Sequence, residues 1–292
     1  MKGEMKTMKV AIVIPIYRPF AELLENEVAA LIQIKAVLYA RDIFYVHPSY
    51  LDTTDYLTIL EPLNVNTIKV DNSYFGNLER NNELFISHSL YRHFSQYDYM
   101  LIHHTDAYVF SDQLDYWCSQ DLDYTGAPWF EGNKEPFYPL TFKGVGNGGF
   151  SLRKVSSFLK ITSNRPFMNY YVLLFNLHKF LEGNHYLFLR KYLGINFIMN
   201  VLRTQTGYED EFWGMVVPKY YKWFKVAQPE FAIKFSFEVM PRLLFELNNN
   251  ELPFGCHASD KYDPEFWESF MQSHKNIYDN WMNRLESGTN SC

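Results

Sequence analysis

Cysteine is scarce in this 292-residue chain, and the three present, Cys118, Cys256 and Cys292, are scattered. No two form a Cys-x-x-Cys pair, and the count is odd. Disulfide scaffolds and zinc-ribbon sites are therefore excluded, and a reducing, cytoplasmic setting is expected. Basic charge is also short. The net charge is −6 and there is no long Lys/Arg run, so the electrostatic footprint of nucleic-acid binding is missing. Long apolar runs are missing too, so no segment is expected to span a membrane. Met1 to Val10 carries charges but no apolar stretch before a cleavage site; a secretory leader is not expected, and Met8 is an alternative start. There is no internal repeat, low-complexity tract or dividing linker.

Apolar residues make up 47% of the chain, with 22 Tyr and 25 Phe, which excludes disorder and allows a large core. Val10 to Pro15 reads as a first buried strand. Phe20 to Tyr39 follows as a helix with apolar residues at 23, 24, 28, 31 and 32. Ile43 to Val46 and Thr67 to Val70 read as strands around a helix at 49–60. A polar loop is expected at 71–82 and a helix at 84–94. Tyr99 to Ile102 is then an apolar strand ending in the polar run His103-His104-Thr105-Asp106. Strands alternating with helices imply parallel βαβ units, and a carboxylate at a strand end sits where such sheets bind ligands. The expected class is α/β, with a mixed, mostly parallel sheet flanked by helices in one compact unit. Its halves are 8–115, which carries the strand-end cluster, and 116–263. A C-terminal helix and tail complete it at 264–292.

Residues 165–204 are dense in Tyr, Phe and Leu and are interrupted by Gly183 and Gly194. Two helices are expected, either packed as a hairpin on the core or touching a membrane or lipid-linked partner through 170–204, where Arg190, Lys191 and Arg203 accompany the aromatics.

Four polar clusters punctuate the apolar sequence: His104-Thr-Asp106, the glycine-rich run 144–149, Glu209-Asp210, and His257. Each has a plain explanation. Glycine runs make turns, acidic residues at a helix start complement its dipole, and single histidines sit in loops. Their joint occurrence points to a site.

The runs Asp123-Tyr-Thr-Gly-Ala-Pro-Trp129, Val145-Gly-Asn-Gly-Gly-Phe-Ser-Leu-Arg153, Glu209-Asp210 and Pro253-Phe-Gly-Cys-His257 resemble GT-A fold glycosyltransferases. The nearest resemblance is to a bacterial family described mainly as a domain of unknown function. It implies a GT-A (Rossmann-like) fold with the aromatic helical segment as an insertion. It also implies a metal-dependent, inverting transfer from a nucleotide sugar, expected to be a UDP-sugar, to a glycan or lipid-linked acceptor in bacterial surface-polysaccharide or lipopolysaccharide synthesis. The Asp-x-Asp signature of such enzymes falls on His104-Thr105-Asp106. Asp106 is then a metal ligand, while His104 replaces the first Asp, which contacts ribose. His257 matches the histidine that completes the metal shell, and an imidazole beside a carboxylate favours Mn²⁺ over Mg²⁺. Asp210 is implied as general base, with Glu209 positioning the acceptor. Gly148 and Gly149 are implied to let backbone approach the sugar. Pro15 and Tyr17 match a base-contacting segment, and Arg80 a nucleotide-contacting arginine. Two other readings stay open: nucleotidyltransfer, which lacks an early phosphate loop here, and a non-catalytic or metal-independent nucleotide-sugar or carbohydrate-binding protein.

Overall fold

A computed structural model describes residues 8–132, 134–182, 205–271 and 274–286, together with Ile198, Val201 and Leu202. The principal sheet has six strands: β1 (Val10–Pro15), β2 (Asp42–Pro48), β3 (Val65–Val70), β4 (Tyr99–His103), β6 (Tyr124–Thr125) and β9 (Phe150–Lys154). Their order is β3-β2-β1-β4-β9-β6. The first four in that order run parallel, and β9 is antiparallel to both β4 and β6. This is the mixed, mostly parallel sheet that the alternating pattern predicts.

β1 is apolar throughout because both of its faces are covered. Val10, Ile12 and Ile14 enter one core, beneath the helices α1 (Glu25–Val37) and α2 (Thr54–Leu60). Ala11 and Val13 enter the other. That second core holds α4 (His88–His93), α6 (Val155–Thr162) and the ring of Trp213. This is the two-residue alternation of a strand read on two buried surfaces. Truncating Ile12 to Ala would cost about 2–5 kcal/mol in such a setting.

Strand order reverses between β1 and β4. β2 and β3 lie on one side of β1, and the chain then crosses to lay β4 on the other. Such a switch point leaves a crevice at the carboxyl ends of the two central strands. Two smaller sheets complete its rim. One pairs β5 (Ala107–Val109), β11 (Gly255–His257) and β10 (Ser236–Phe237); the other pairs β7 (Ala127–Phe130) with β8 (Phe142–Gly146).

Several expected boundaries move. α1 starts at Glu25, not Phe20, because Pro19 opens a short 3-10 turn at Phe20–Glu22 before the chain extends again. The region expected as a polar loop to residue 82 contains α3 (Leu78–Ile86), started by the Asn77 side chain, which accepts from the Arg80 amide at 2.9 Å. The expected final helix is two helices, Pro264–Glu268 and His274–Glu286. In the aromatic segment, α7 (Arg165–Glu182) packs Phe167, Tyr171 and Phe175 against Phe212, Tyr208 and their neighbours. The second helix expected there, with Arg190, Lys191 and Arg203, falls outside the described residues. Among the described residues, no helix is long and apolar enough to cross a membrane.

Candidate active site at the sheet switch point

Three backbone arrangements gather the polar clusters. β4 ends at His103, and the amide of His104 donates to the carbonyl of Gly149 at 2.8 Å, tying the strand end to the glycine-rich turn. β5 pairs with β11 so that Ala107 faces His257, which brings the neighbouring Asp106 beside that imidazole. The Ala258 amide donates to the Asp106 carbonyl at 3.0 Å and locks the register. His104, Asp106 and His257 thus present one ligand atom each, all within 4.8 Å of one another. The family resemblance implied Asp106 and His257 as ligands; His104, counted there among the nucleotide-sugar-binding residues, joins the same trio. What the pattern could not show is the third coordinate, the ladder that folds His257 onto the strand end.

The donor set fits a divalent cation. His104 Nε2 is buried with no protein hydrogen-bond partner. Burial, aided by the neighbouring cationic groups, brings its pKa down to about 3, so the ring is neutral and carries a free lone pair. His257 Nδ1 bonds Glu238 at 2.9 Å, while its Nε2 lies 3.2 Å from Asp106. Trp129 Nε1 donates to the other Glu238 oxygen at 2.7 Å. A carboxylate behind a histidine selects the tautomer that aims Nε2 forward. Burial disfavours charge on His257, but Asp106 and Glu238 outweigh it and raise the pKa to about 10. Burial likewise pushes Asp106 up, yet its charge-assisted bond with His257 holds it below the usual carboxylate range. Glu238 and Trp129 were missed as site residues, because a lone Glu 19 positions before a histidine is not a recognisable spacing.

Beside the trio is a cavity of about 270 Å³ lined by Pro15, Tyr17, Arg18, Glu27, Thr105 and Asp106, among others. Tyr17 is half-exposed. Arg18 pairs with Glu27, whose carboxylate also accepts from the Thr105 hydroxyl, so these three lining side chains are linked. Arg80 does not line this cavity. It is exposed on α3 and paired with Glu83 at 2.9 Å, as expected for two residues three apart on a helix.

The acidic pair divides. Glu209 is buried and paired at 2.9 Å with Arg153, which is wholly buried and also donates to the Tyr91 hydroxyl at 2.9 Å. Glu209 is therefore committed to that guanidinium. Asp210 has no cation partner among the described residues. It accepts from the Glu211 amide at 2.8 Å, while burial, followed by the charges of Glu209 and Glu238, pushes its carboxyl up to about 7. The two glycines stand close against other side chains. A Cβ on Gly148 would fall 2.0 Å from the Glu209 carboxylate, and one on Gly149 would fall 2.0 Å from His257 Nε2. They make room for this chain's own side chains. A second cavity of about 500 Å³ is lined by Lys143, Phe175, Lys179, Tyr208, Glu211 and Lys219, among others; Asp210 is not in its lining.

The profile of a family described as "Protein of unknown function (DUF5672)" matches residues 64–257. No curated protein matches the chain. Among solved structures, apo mouse xyloside xylosyltransferase 1 superposes with a TM-score of 0.50 at 7% identity, covering 85% of this chain and 97% of that one. The apo glycosyltransferase GlyE of Streptococcus pneumoniae has a TM-score of 0.47 at 14% identity, with 95% and 64% covered. Core-mannan synthase A of Aspergillus fumigatus, in its Mn/GDP form, has a TM-score of 0.37 at 8% identity, with 54% and 62% covered. The chain thus spans less than two thirds of the length of the pneumococcal and fungal chains. The fold is that of GT-A-type glycosyltransferases, as the strand order and the mouse enzyme agree.

Proposed function

The chain belongs to the DUF5672 family of proteins of unknown function, and we propose that it is a metal-dependent glycosyltransferase using a nucleoside-diphosphate sugar. One observation carries the proposal: His104, Asp106 and His257 converge at the carboxyl ends of the central strands, beside a cavity that Tyr17 lines.

His104, Asp106 and His257 would hold the divalent ion, which as a Lewis acid offsets charge on a departing diphosphate. Two imidazoles and one carboxylate favour Mn²⁺ over Mg²⁺. Tyr17 offers a ring on which a nucleobase stacks, Pro15 lines the same cavity, and UDP is the expected carrier. Glu238 keeps the His257 tautomer fixed while ligands come and go. It also contributes to the basicity of Asp210, so one carboxylate couples the two halves of the site.

Asp210 is the general base in this reading. Near neutral pH it is poised to accept the acceptor hydroxyl proton as that oxygen attacks the anomeric carbon, and one base with in-line attack inverts the configuration. Arg153 neutralises Glu209 and spares Asp210 a second unpaired charge beside it. The larger cavity is the acceptor subsite. Phe175 and Tyr208 supply ring faces there, and Lys143 and Glu211 supply hydrogen-bonding groups. A glycan or lipid-linked acceptor at the cytoplasmic face of the cell membrane, in surface-polysaccharide synthesis, suits this arrangement.

The test is a thermal-shift panel with UDP, GDP, CMP and dTDP, with and without Mn²⁺, followed by donor turnover. A nucleotide at about 100 times its Kd stabilises by roughly 2.7 kcal/mol. A shift with one diphosphate that requires Mn²⁺ and disappears in Asp106→Ala is expected. A shift indifferent to metal and to that substitution would sink the proposal, whereas metal-dependent binding with no turnover of any donor would leave only a binding protein.

A further inference from the structure

We propose that Trp129 is a positioning residue for the metal trio: its indole N–H fixes the carboxylate of Glu238, and Glu238 in turn fixes the imidazole of His257. The inference rests on the metal reading above and deepens it. It also gives a role to the Gly126-Ala-Pro-Trp129 run, which the transfer chemistry leaves unused.

Glu238 is a buried carboxylate, 9% exposed. One of its oxygens lies 2.9 Å from His257 Nδ1, and the other accepts from the Trp129 indole at 2.7 Å. Held through one oxygen alone, a carboxylate swings about its terminal torsion, whose wells are broad. A bond to each oxygen fixes its plane. That plane sets how the imidazole presents Nε2, which stands 3.2 Å from Asp106. The kind of donor matters as well. Arg153 neutralises Glu209. An indole donates without carrying charge, so it holds Glu238 in place and leaves intact the negative charge that a histidine ligand needs behind it.

The backbone builds a seat for the indole. β7 pairs with β8 so that Ala127 faces Gly146 and Trp129 faces Gly144. A Cβ on Gly146 would fall 2.1 Å from Trp129 Cη2, and one on Gly126 would fall 1.7 Å from the Gly146 carbonyl oxygen. Glycine at these two positions lets the ring lie against the β8 backbone and lets the two strands close on one another. The Lys143 ammonium stands 5.7 Å from the centre of the same ring and is tied at 2.6 Å to Glu211. The indole therefore meets Lys143, which lines the larger cavity, over its ring and Glu238 through its N–H.

The experiment is a double-mutant cycle on the full chain, with Mn²⁺ titrated calorimetrically, alone and with UDP present. Trp129→Phe keeps an aromatic ring but removes the N–H. It should raise the Kd for Mn²⁺ at least about ten-fold, as loss of an outer-shell partner of a histidine ligand does. Glu238→Ala should raise it by as much or more. Adding Trp129→Phe to Glu238→Ala should then change the Kd by no more than about two-fold, because residues that act in series are not additive. A second measurement needs neither metal nor loss of the indole. Of the six tryptophan N–H resonances of the ¹⁵N-labelled apo protein, the one that moves most in Glu238→Ala should be the one missing from Trp129→Phe. Wild-type Mn²⁺ affinity in Trp129→Phe would overturn the inference. So would a double variant weaker than Glu238→Ala by the full Trp129→Phe factor, since the ring would then only fill space, and so would an indole spectrum that Glu238→Ala leaves unchanged. If the wild type takes up no Mn²⁺ under either condition, the metal reading itself fails and the inference falls with it.

Discussion

Replacing Asp210 with Asn should make the protein more stable while removing its turnover, and the gain should depend on pH. The folded carboxyl is raised from 3.8 to about 7, first by burial and then by Glu209 and Glu238. At about 1.4 kcal/mol per pH unit, keeping it ionised costs on the order of 4 kcal/mol, and partial solvent contact trims this to about 2–4 kcal/mol. A folded acid with a raised pKa holds more protons than the unfolded chain between those two values, so its stabilising contribution is full below pH 4 and is lost as pH rises through 7. The amide is neutral throughout and can still accept from the Glu211 amide. Wild type and variant should therefore melt alike near pH 4. By pH 8 the variant should be ahead by about 2–4 kcal/mol, or roughly 5–10 °C for a chain of this size. Melting both proteins across pH 4–9 cancels every titration they share. A flat difference, or one that grows towards acid, would refute the account of Asp210 and with it the general base. Wild-type kcat/KM should rise with pH through an apparent pKa near 7.

Other outcomes follow from the same geometry. His104→Ala should abolish Mn²⁺-dependent nucleotide stabilisation with little change in the apo melting temperature, as read by thermal shift; retained metal dependence would remove His104 from the ligand set. Glu238→Gln, which weakens the brace behind His257, should lower metal affinity about 10–100-fold without removing a ligand, measurable by titration calorimetry. Arg153→Met should cost about 3–5 kcal/mol in chemical denaturation because it strands the buried Glu209 carboxylate. Restoring neutrality with Glu209→Gln in the same chain should recover part of that loss. Arg80→Ala should leave nucleotide affinity unchanged, since its partner is Glu83 and it does not line the nucleotide cavity.

The local pattern by itself determined the sheet. Uninterrupted apolar runs at 10–15 and 99–102 can be buried only as central strands, and the helices between strands impose parallel pairing and a crevice at their ends. It also determined that Asp106 stands at a strand end, and the family resemblance implied that the glycine-rich run approaches something closely. Only the tertiary structure shows which side chains of the protein itself the run approaches. Gly148 and Gly149 yield space to Glu209 and His257, which lie some 60 and 108 positions downstream. Glu209 and Asp210 are neighbours in the chain with the same chemistry, yet one is neutralised by Arg153 and the other is held near neutrality without a cation partner among the described residues. Nothing in a run of adjacent carboxylates records that difference, because it depends on which buried cation the fold delivers to each. The same holds for His104. Its place beside Asp106 in the sequence suggested a substituted aspartate, whereas pairing of β5 with β11 carried His257 across and made a three-residue cluster. Periodicity and burial are local, and so were readable; charge compensation is a property of contacts between distant segments, and became visible only once those segments were packed.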